Sequence, residues 1–366
     1  AGSEIIPSDL EYENFPDLQM MPFIVGAFVP ISPSFPDAIL STELLADIFM
    51  GKVEFWDNER IVDLNPSIKF PHEEISIIYR EERSGITRVL TTALSKFSAE
   101  WASKYGPTSQ WPLELRQNSS KYFPADGNEA TATSAAIIPF SIGYTSFEYL
   151  RNTRSSKLHI KLINESGKII TCNNESIQAA TTDVEFSDKF TADLTNSDHE
   201  DAWPITSYSY IVTRSKSTKP KKCEEFWNAI KFFQFTLKYH APEVLIESNG
   251  FTLVGKETQN KILDLLRTFE CNNEQRFASG IPIKIPSEPE YFYFSPNTFS
   301  EITTVNYSPY YNLVGSTIKS SQAREYNPSP ISSLYSSNIA FDRFYNTEEI
   351  SSKASERAPL CLIFCV

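Results

Sequence analysis

Apolar positions fall into short runs and helical stripes that alternate along the first three quarters of the chain. Pro22–Val29 is an unbroken apolar run that reads as a strand. Residues 41–50 (STELLADIFM) place Leu44, Leu45, Ile48 and Phe49 on one helical stripe, with Ser41 or Thr42 as its cap. Glu74–Tyr79 (EISIIY) predicts a short buried strand, and Gly85 opens a helix that runs to Gly106-Pro107. Residues 130–138 predict a helix of small side chains, and Ile142–Tyr144 a strand. A second strong strand is predicted within 203–213, then amphipathic helices over 223–240 and 256–270. Strands alternating with helices predict an α/β fold.

The pattern changes after Cys271. Residues 281–335 are rich in Pro, Ser, Tyr, Phe and Asn and show few helical periods. Disordered chain is poor in aromatics. Tyr291–Phe294 (YFYF) therefore calls for a packing surface, within the molecule or on a neighbour. This predicts one domain over 1–280 and an extended, aromatic, Pro- and Ser-rich C-terminal segment over 281–366.

Composition narrows the function. A chain of 366 residues with 41% hydrophobic and 22% charged residues buries a sizeable core, which excludes bulk disorder. Its net charge of −13 argues against nucleic acid and anionic membrane surfaces as partners. The apolar runs Met20–Ile31 and Ala358–Val366 are too short to span a membrane. The first residue is Ala1, with no initiating Met, which predicts a processed or internal segment.

Cys172, Cys223, Cys271, Cys361 and Cys365 show no metal-like spacing, and Cys361 and Cys365 read as buried strand thiols. His72, His159, His199 and His240 stand apart in sequence. No metal and no cofactor is implied. Asp57, Glu59 and Asp63 fall on solvated faces, and no nucleophile-elbow, Walker or dinucleotide glycine pattern occurs, so no enzyme is indicated. Asn118, Asn164, Asn174 and Asn306 each begin an N-x-S/T sequon, which admits N-linked glycans and a secreted chain.

Several stretches recur in one order: LSTELLADIFMGKVEFWDNERIVDLNP (40–66), ISIIYREERSGITRVLTTALSKFSAEW (75–101), Trp111-Pro112, GNEATATSAAIIPFSIGY (127–144) and EDAWPITSYSYIV (200–212). In order and spacing they resemble the phosphate-binding proteins of bacterial ABC importers, members of the two-lobed periplasmic-binding-protein class. The resemblance implies that fold, and an anion site at REERSGIT. There Arg80 supplies a fixed cation and a forked donor, and Ser84-Gly85 opens a helix whose free N–H groups and dipole favour an anion.

Against the resembled family, Glu82 stands at an Asp that holds the Arg, Arg83 at a Gly, and Ile86 at a Thr that donates a hydroxyl. Glu4 stands at the Asp that accepts the proton of hydrogen phosphate. Losing one buried hydrogen bond to a charged ligand costs roughly 1.5–3 kcal/mol, so these departures predict a degenerate site.

The chain also lacks the family's opening segment at its N-terminus. Its tail resembles a worn copy of that opening: Thr298-Phe299 follows YFYF, and Pro359–Val366 (PLCLIFCV) parallels Pro22–Val29. This implies a tail that completes its own or a neighbouring domain. The resulting expectation is a non-enzymatic, secreted or cell-surface protein, used as a repeating unit of a head-to-tail assembly through residues 281–366. The alternatives are a phosphate receptor of a transport system and a surface adhesin.

Overall fold

The computed structural model describes residues 2–153, 159–217, 222–238, 246–247 and 251–276. Strand β1 (Gly2–Ser3) and helix α1 (Asp9–Asn14) lead into β2 (Leu18–Ile31), which is buried at every position after its first. The remaining strands are β3 (Ile39–Ser41), β4 (Ser76–Arg80), β5 (Tyr122–Ala125), β6 (Ser141–Ser146), β7 (Lys161–Ile163), β8 (Ile169–Ile170), β9 (Thr206–Arg214), β10 (Lys216–Ser217), β11 (Thr252–Leu253) and β12 (Glu270–Cys271). Further helices are α2 (Thr42–Phe49), α3 (Glu59–Leu64), α4 (Gly85–Phe97), α5 (Ala99–Lys104), α6 (Leu113–Arg116), α7 (Gly127–Ile137), α8 (Phe147–Asn152), α9 (Asn174–Ala179), α10 (Cys223–Lys238) and α11 (Lys256–Arg267).

The main sheet has the order β1-β9-β2-β6-β4-β5, with β11 also paired to β2. Strand β2 changes partner along its length. Leu18–Ala27 run antiparallel to β9, and Phe28–Ile31 antiparallel to β6. Beyond β6 the ladder becomes parallel, with β4 between β6 and β5. A parallel strand is covered on both faces, which explains the unbroken apolar texture at Ile77 and Ile78, both fully buried. The result is the two-lobed α/β fold of periplasmic binding proteins. One lobe holds β1, β9, β11 and the first part of β2; the other holds the end of β2 with β4, β5 and β6.

Aromatic packing fixes the second lobe. Trp111 stands 5.6 Å from both Tyr144 and Trp101 and 5.5 Å from Phe49, tying β6 to helices α2 and α5. Trp56, Trp101, Trp111, Trp203 and Trp227 are all buried in the core.

The predicted elements fall where the patterns put them, with one break. Ser41 caps α2 by accepting the N–H of Leu44 at 3.0 Å. Ser41→Ala is expected to lower stability by about 1 kcal/mol, read as an earlier urea midpoint with unchanged slope. The helix opened by Gly85 stops at Phe97, and a second begins at Ala99. Ser98 between them is extended, and its hydroxyl accepts the N–H of Trp101 at 3.3 Å. The apolar stripe continues across this point, but the serine offers the backbone a competing cap.

A disulfide joins Cys223, at the start of α10, to Cys271 on β12, 48 residues apart. Cys172 is a buried free thiol. Among the described residues no helix is long and apolar enough to cross a membrane, and no cluster of His, Cys, Asp and Glu could hold a metal ion. The aromatic run Tyr291–Phe294, Thr298, Phe299, Asn306, Cys361 and Cys365 lie outside the described residues. So does the whole of 281–366, with the self-association expected of it.

Candidate functional site

Strand β4 delivers Arg80 to its C-terminal end, and four residues later the chain turns into α4. The position of that turn is set from the core. The Tyr144 hydroxyl, held by the stack on Trp111, accepts the backbone N–H of Arg80 at 3.0 Å and lies 2.8 Å from the Thr87 hydroxyl. One buried phenol therefore fixes the strand end and the first turn of α4 together. Burial pushes that phenol's pKa up, so it stays protonated.

Arg80 is buried and held on all three of its guanidinium nitrogens. Its Nε donates to Glu82 Oε1 at 2.5 Å, a second nitrogen of the guanidinium pairs with the same carboxylate, and Nη1 donates to Asn128 Oδ1 at 3.0 Å. Burial works against the charge of Glu82, but its bonds to Arg80 prevail and hold its pKa below the ordinary value. Asp126, hydrogen-bonded to Glu82, is pushed the other way. Glu82 thus takes over, one bond longer, the holding role that the resemblance gives to an Asp.

Ser84 is the N-cap of α4, yet its side chain makes no capping bond, and its backbone N–H goes instead to Ser109 O at 2.8 Å. The hydroxyl, on a residue only 8% exposed, faces a cavity. The first turn of α4 carries no acidic residue of its own. The positive end of this helix is open to an outside negative group.

The group nearest to it comes from the other lobe. Glu4 follows β1, and its Oε1 accepts from the Ser209 hydroxyl of β9 at 3.1 Å. Its Oε2 sits 2.2 Å from where a Cβ on Gly85 would stand. Any side chain at position 85 displaces this carboxylate. Burial raises the pKa of Glu4, and the bond from Ser209 offsets only part of that.

These residues line one cavity of about 320 Å³ between the lobes. It brings together Arg80, Glu82, Ser84, Gly85, Ile86 and Glu4, all six of the expected anion-site residues that are described. Thr298 and Phe299 lie outside the described residues. Arg83 lines the cavity as well.

The sequence did not point to Asn128, Ser209 or Glu148, which line the same cavity. Asn128 is the second residue of α7, after Gly127. Glu148 lies in the first turn of α8, just past the end of β6. Asn128 follows β5 by three residues and Glu148 follows β6 by two, the one local signal that could have marked them. Burial pushes the pKa of Glu148 up to about 7; the bond from Ser146 opposes this, and the charge of Glu4 adds to it.

The sequons are scattered. Asn118 is exposed on a turn after α6. Asn174 accepts from Arg151 at 2.7 Å. Asn164 is buried, and its amide donates to Glu200 O at 2.8 Å, a bond that a glycan on that nitrogen displaces.

The cavity offers a cation, an uncapped serine, a helix N-terminus and two carboxyls with raised proton affinity. That set suits an oxyanion carrying a proton. Residues 2–237 match the family described as PBP superfamily domain. The phosphate-binding protein PstS of Methanocaldococcus jannaschii is 33% identical over 230 residues, covering 58% of this chain and 57% of its own length. PstS of Haemophilus influenzae is 31% identical over 242 residues, covering 64% of this chain and 68% of its own length. The chain thus spans less than two thirds of the Methanocaldococcus protein. A high affinity periplasmic phosphate-binding protein, solved with phosphate bound, matches in fold with a TM-score of 0.55 at 15% identity, over 72% of this chain and 77% of that one.

Proposed function

This chain belongs to the PBP superfamily, and on that premise we propose that it is a non-enzymatic binding domain that takes phosphate in the cavity between its lobes. The observation that carries this reading is the end of α4. A buried serine at the N-cap leaves its hydroxyl unused by the helix, beside a buried arginine and a first helical turn with no acidic residue of its own. Its role is that of a receptor domain: Arg80 supplies charge, Ser84 and the N–H groups of α4 supply donors, and Glu4 accepts the ligand's proton.

Two things weaken the site against the resembled family without removing it. Ile86 brings a branched apolar side chain to the cavity where a hydroxyl is expected. Arg80 also arrives already bonded to Glu82 and Asn128, so an anion has to share or displace those bonds. Weaker phosphate binding follows from both.

The disulfide supports an oxidising, extracytoplasmic setting, because such bonds rarely persist in a reducing cytosol. The structural-unit reading rested on residues 281–366, and nothing among the described residues favours it. Calorimetry with inorganic phosphate tests the proposal. Saturable one-to-one binding with a Kd of roughly micromolar to hundreds of micromolar is expected, corresponding to about −8 to −5 kcal/mol. Absence of heat at millimolar phosphate and across mildly acidic to alkaline pH would leave the fold without its ligand and sink the reading.

A further inference from the structure

Glu148 is an acidic group of the cavity that neither the resemblance nor the anion site accounts for. A polar chain leads toward it from the site. Arg80 Nη1 donates to Asn128 Oδ1 at 3.0 Å; Asn128 Nδ2 donates to Ser146 Oγ at 3.0 Å; and the Ser146 side chain, two residues before Glu148, favours its charged form. The same Asn128 oxygen also accepts the Thr145 hydroxyl at 3.0 Å, which holds the amide in this orientation. Glu148 therefore stands at the far end of a fixed polar chain that begins at the anion-binding arginine.

Its other neighbours are mostly unfavourable to a negative charge. Glu4 faces it from the opposite lobe, close enough for its charge to act on Glu148. The Cys172 thiol lies near it and stays protonated through burial. Arg151, on the same helix, is turned to Asn174 at 2.7 Å. The cavity's cations are Arg80, which is bound to Glu82, and Arg83. An empty cavity can hold Glu148 ionised with water around it. A cavity filled by a phosphate dianion sets three negative groups side by side in a site with less water, and like charges at that range do not all remain ionised.

We propose that anion binding in this cavity is proton-linked through Glu148: its carboxyl takes up a proton as the oxyanion enters and returns it to solvent as the anion leaves. The proposal rests on the phosphate-binding reading and adds the coupling to it. The bound species is then oxyanion plus proton, and release is favoured by alkaline surroundings. The protonated carboxyl becomes a donor, which turns Glu148 from a repulsive neighbour into a hydrogen-bonding partner.

The test uses the full chain and inorganic phosphate at about pH 8.5, where the ligand is almost wholly dianionic and its own titration contributes little. Calorimetry in Tris and in bicine, buffers of unlike ionisation enthalpy, counts protons from the difference in heat. Uptake of about one proton per phosphate is expected, with affinity falling about tenfold per pH unit above pH 8. Glu148→Gln is expected to abolish the uptake and flatten that slope. Binding with equal heats in both buffers overturns the proposal and leaves the phosphate reading standing. Uptake that survives Glu148→Gln but vanishes in Glu4→Gln moves the linkage to Glu4 and also overturns it.

A ligand-free measurement separates the two readings. The melting temperature of the wild type is expected to fall, relative to Glu148→Gln, as pH rises from about 4.5 to about 7, because a carboxyl with a raised folded-state pKa destabilises the fold as it ionises. Parallel melting curves for the two proteins across that range show that Glu148 ionises normally and remove the basis of the coupling, whether or not phosphate binds.

Discussion

Replacing Arg80 by alanine is expected to lower phosphate affinity by at least about a hundredfold, since two charge-assisted hydrogen bonds of roughly 1.5–3 kcal/mol each are lost together. The expectation follows from the position of the guanidinium. It is buried, its backbone is pinned by Tyr144, and its fork is aimed by Glu82 and Asn128. Arg83 is the other forked cation lining the cavity, but it is exposed where Arg80 is buried. Arg80→Lys keeps a charge but loses the planar fork, and about a tenfold loss is expected of it. Calorimetry on both variants reads the result, with circular dichroism as the check on folding. Alanine also leaves Glu82 without its partner, so some loss of melting temperature belongs with it. Wild-type affinity in a folded Arg80→Ala protein would place the anion elsewhere.

Removing the disulfide is expected to have the largest effect on stability. Cys223 and Cys271 stand 48 residues apart, and closing a loop of that length restricts the unfolded chain by about 4 kcal/mol in the entropy model. The bond also clamps a region whose sheet pairing is short. Strands β10 and β12 pair over only two residues each, and around them Phe226 meets Phe269 at 6.2 Å and Arg276 stacks over Trp227 at 5.8 Å. Urea unfolding of the Cys223→Ser, Cys271→Ser double variant should show a clearly earlier midpoint. A midpoint unchanged by the substitution, and by dithiothreitol on the wild type, would mean that packing alone carries this corner.

Much of the fold was legible because its strands are buried on both sides and its helices on one. Leu44, Leu45, Ile48 and Phe49 fall on the buried side of α2, as their spacing required. The break at Ser98 was not legible, because an apolar stripe records which side is buried and not whether the backbone pauses. At the site, REERSGIT was readable since strand end, cation and helix start are contiguous. Asn128, Glu148 and Ser209 reach the same cavity from three separate elements, and only the sheet order brings them together. The disulfide was hidden for a similar reason: no local spacing relates Cys223 to Cys271, and the pairing of β10 with β12 creates their proximity.

Gly85 leaves empty the volume that the carboxylate of Glu4 fills, although the two are far apart in sequence and belong to different lobes. In terms of inheritance they form a single character. A lineage that gains a side chain at position 85 has to shorten position 4 in the same step, or else close the helix end to every anion. The longer acid at position 4 is tolerated for as long as its counterpart stays a glycine, and neither substitution has a meaning that can be assessed without the other.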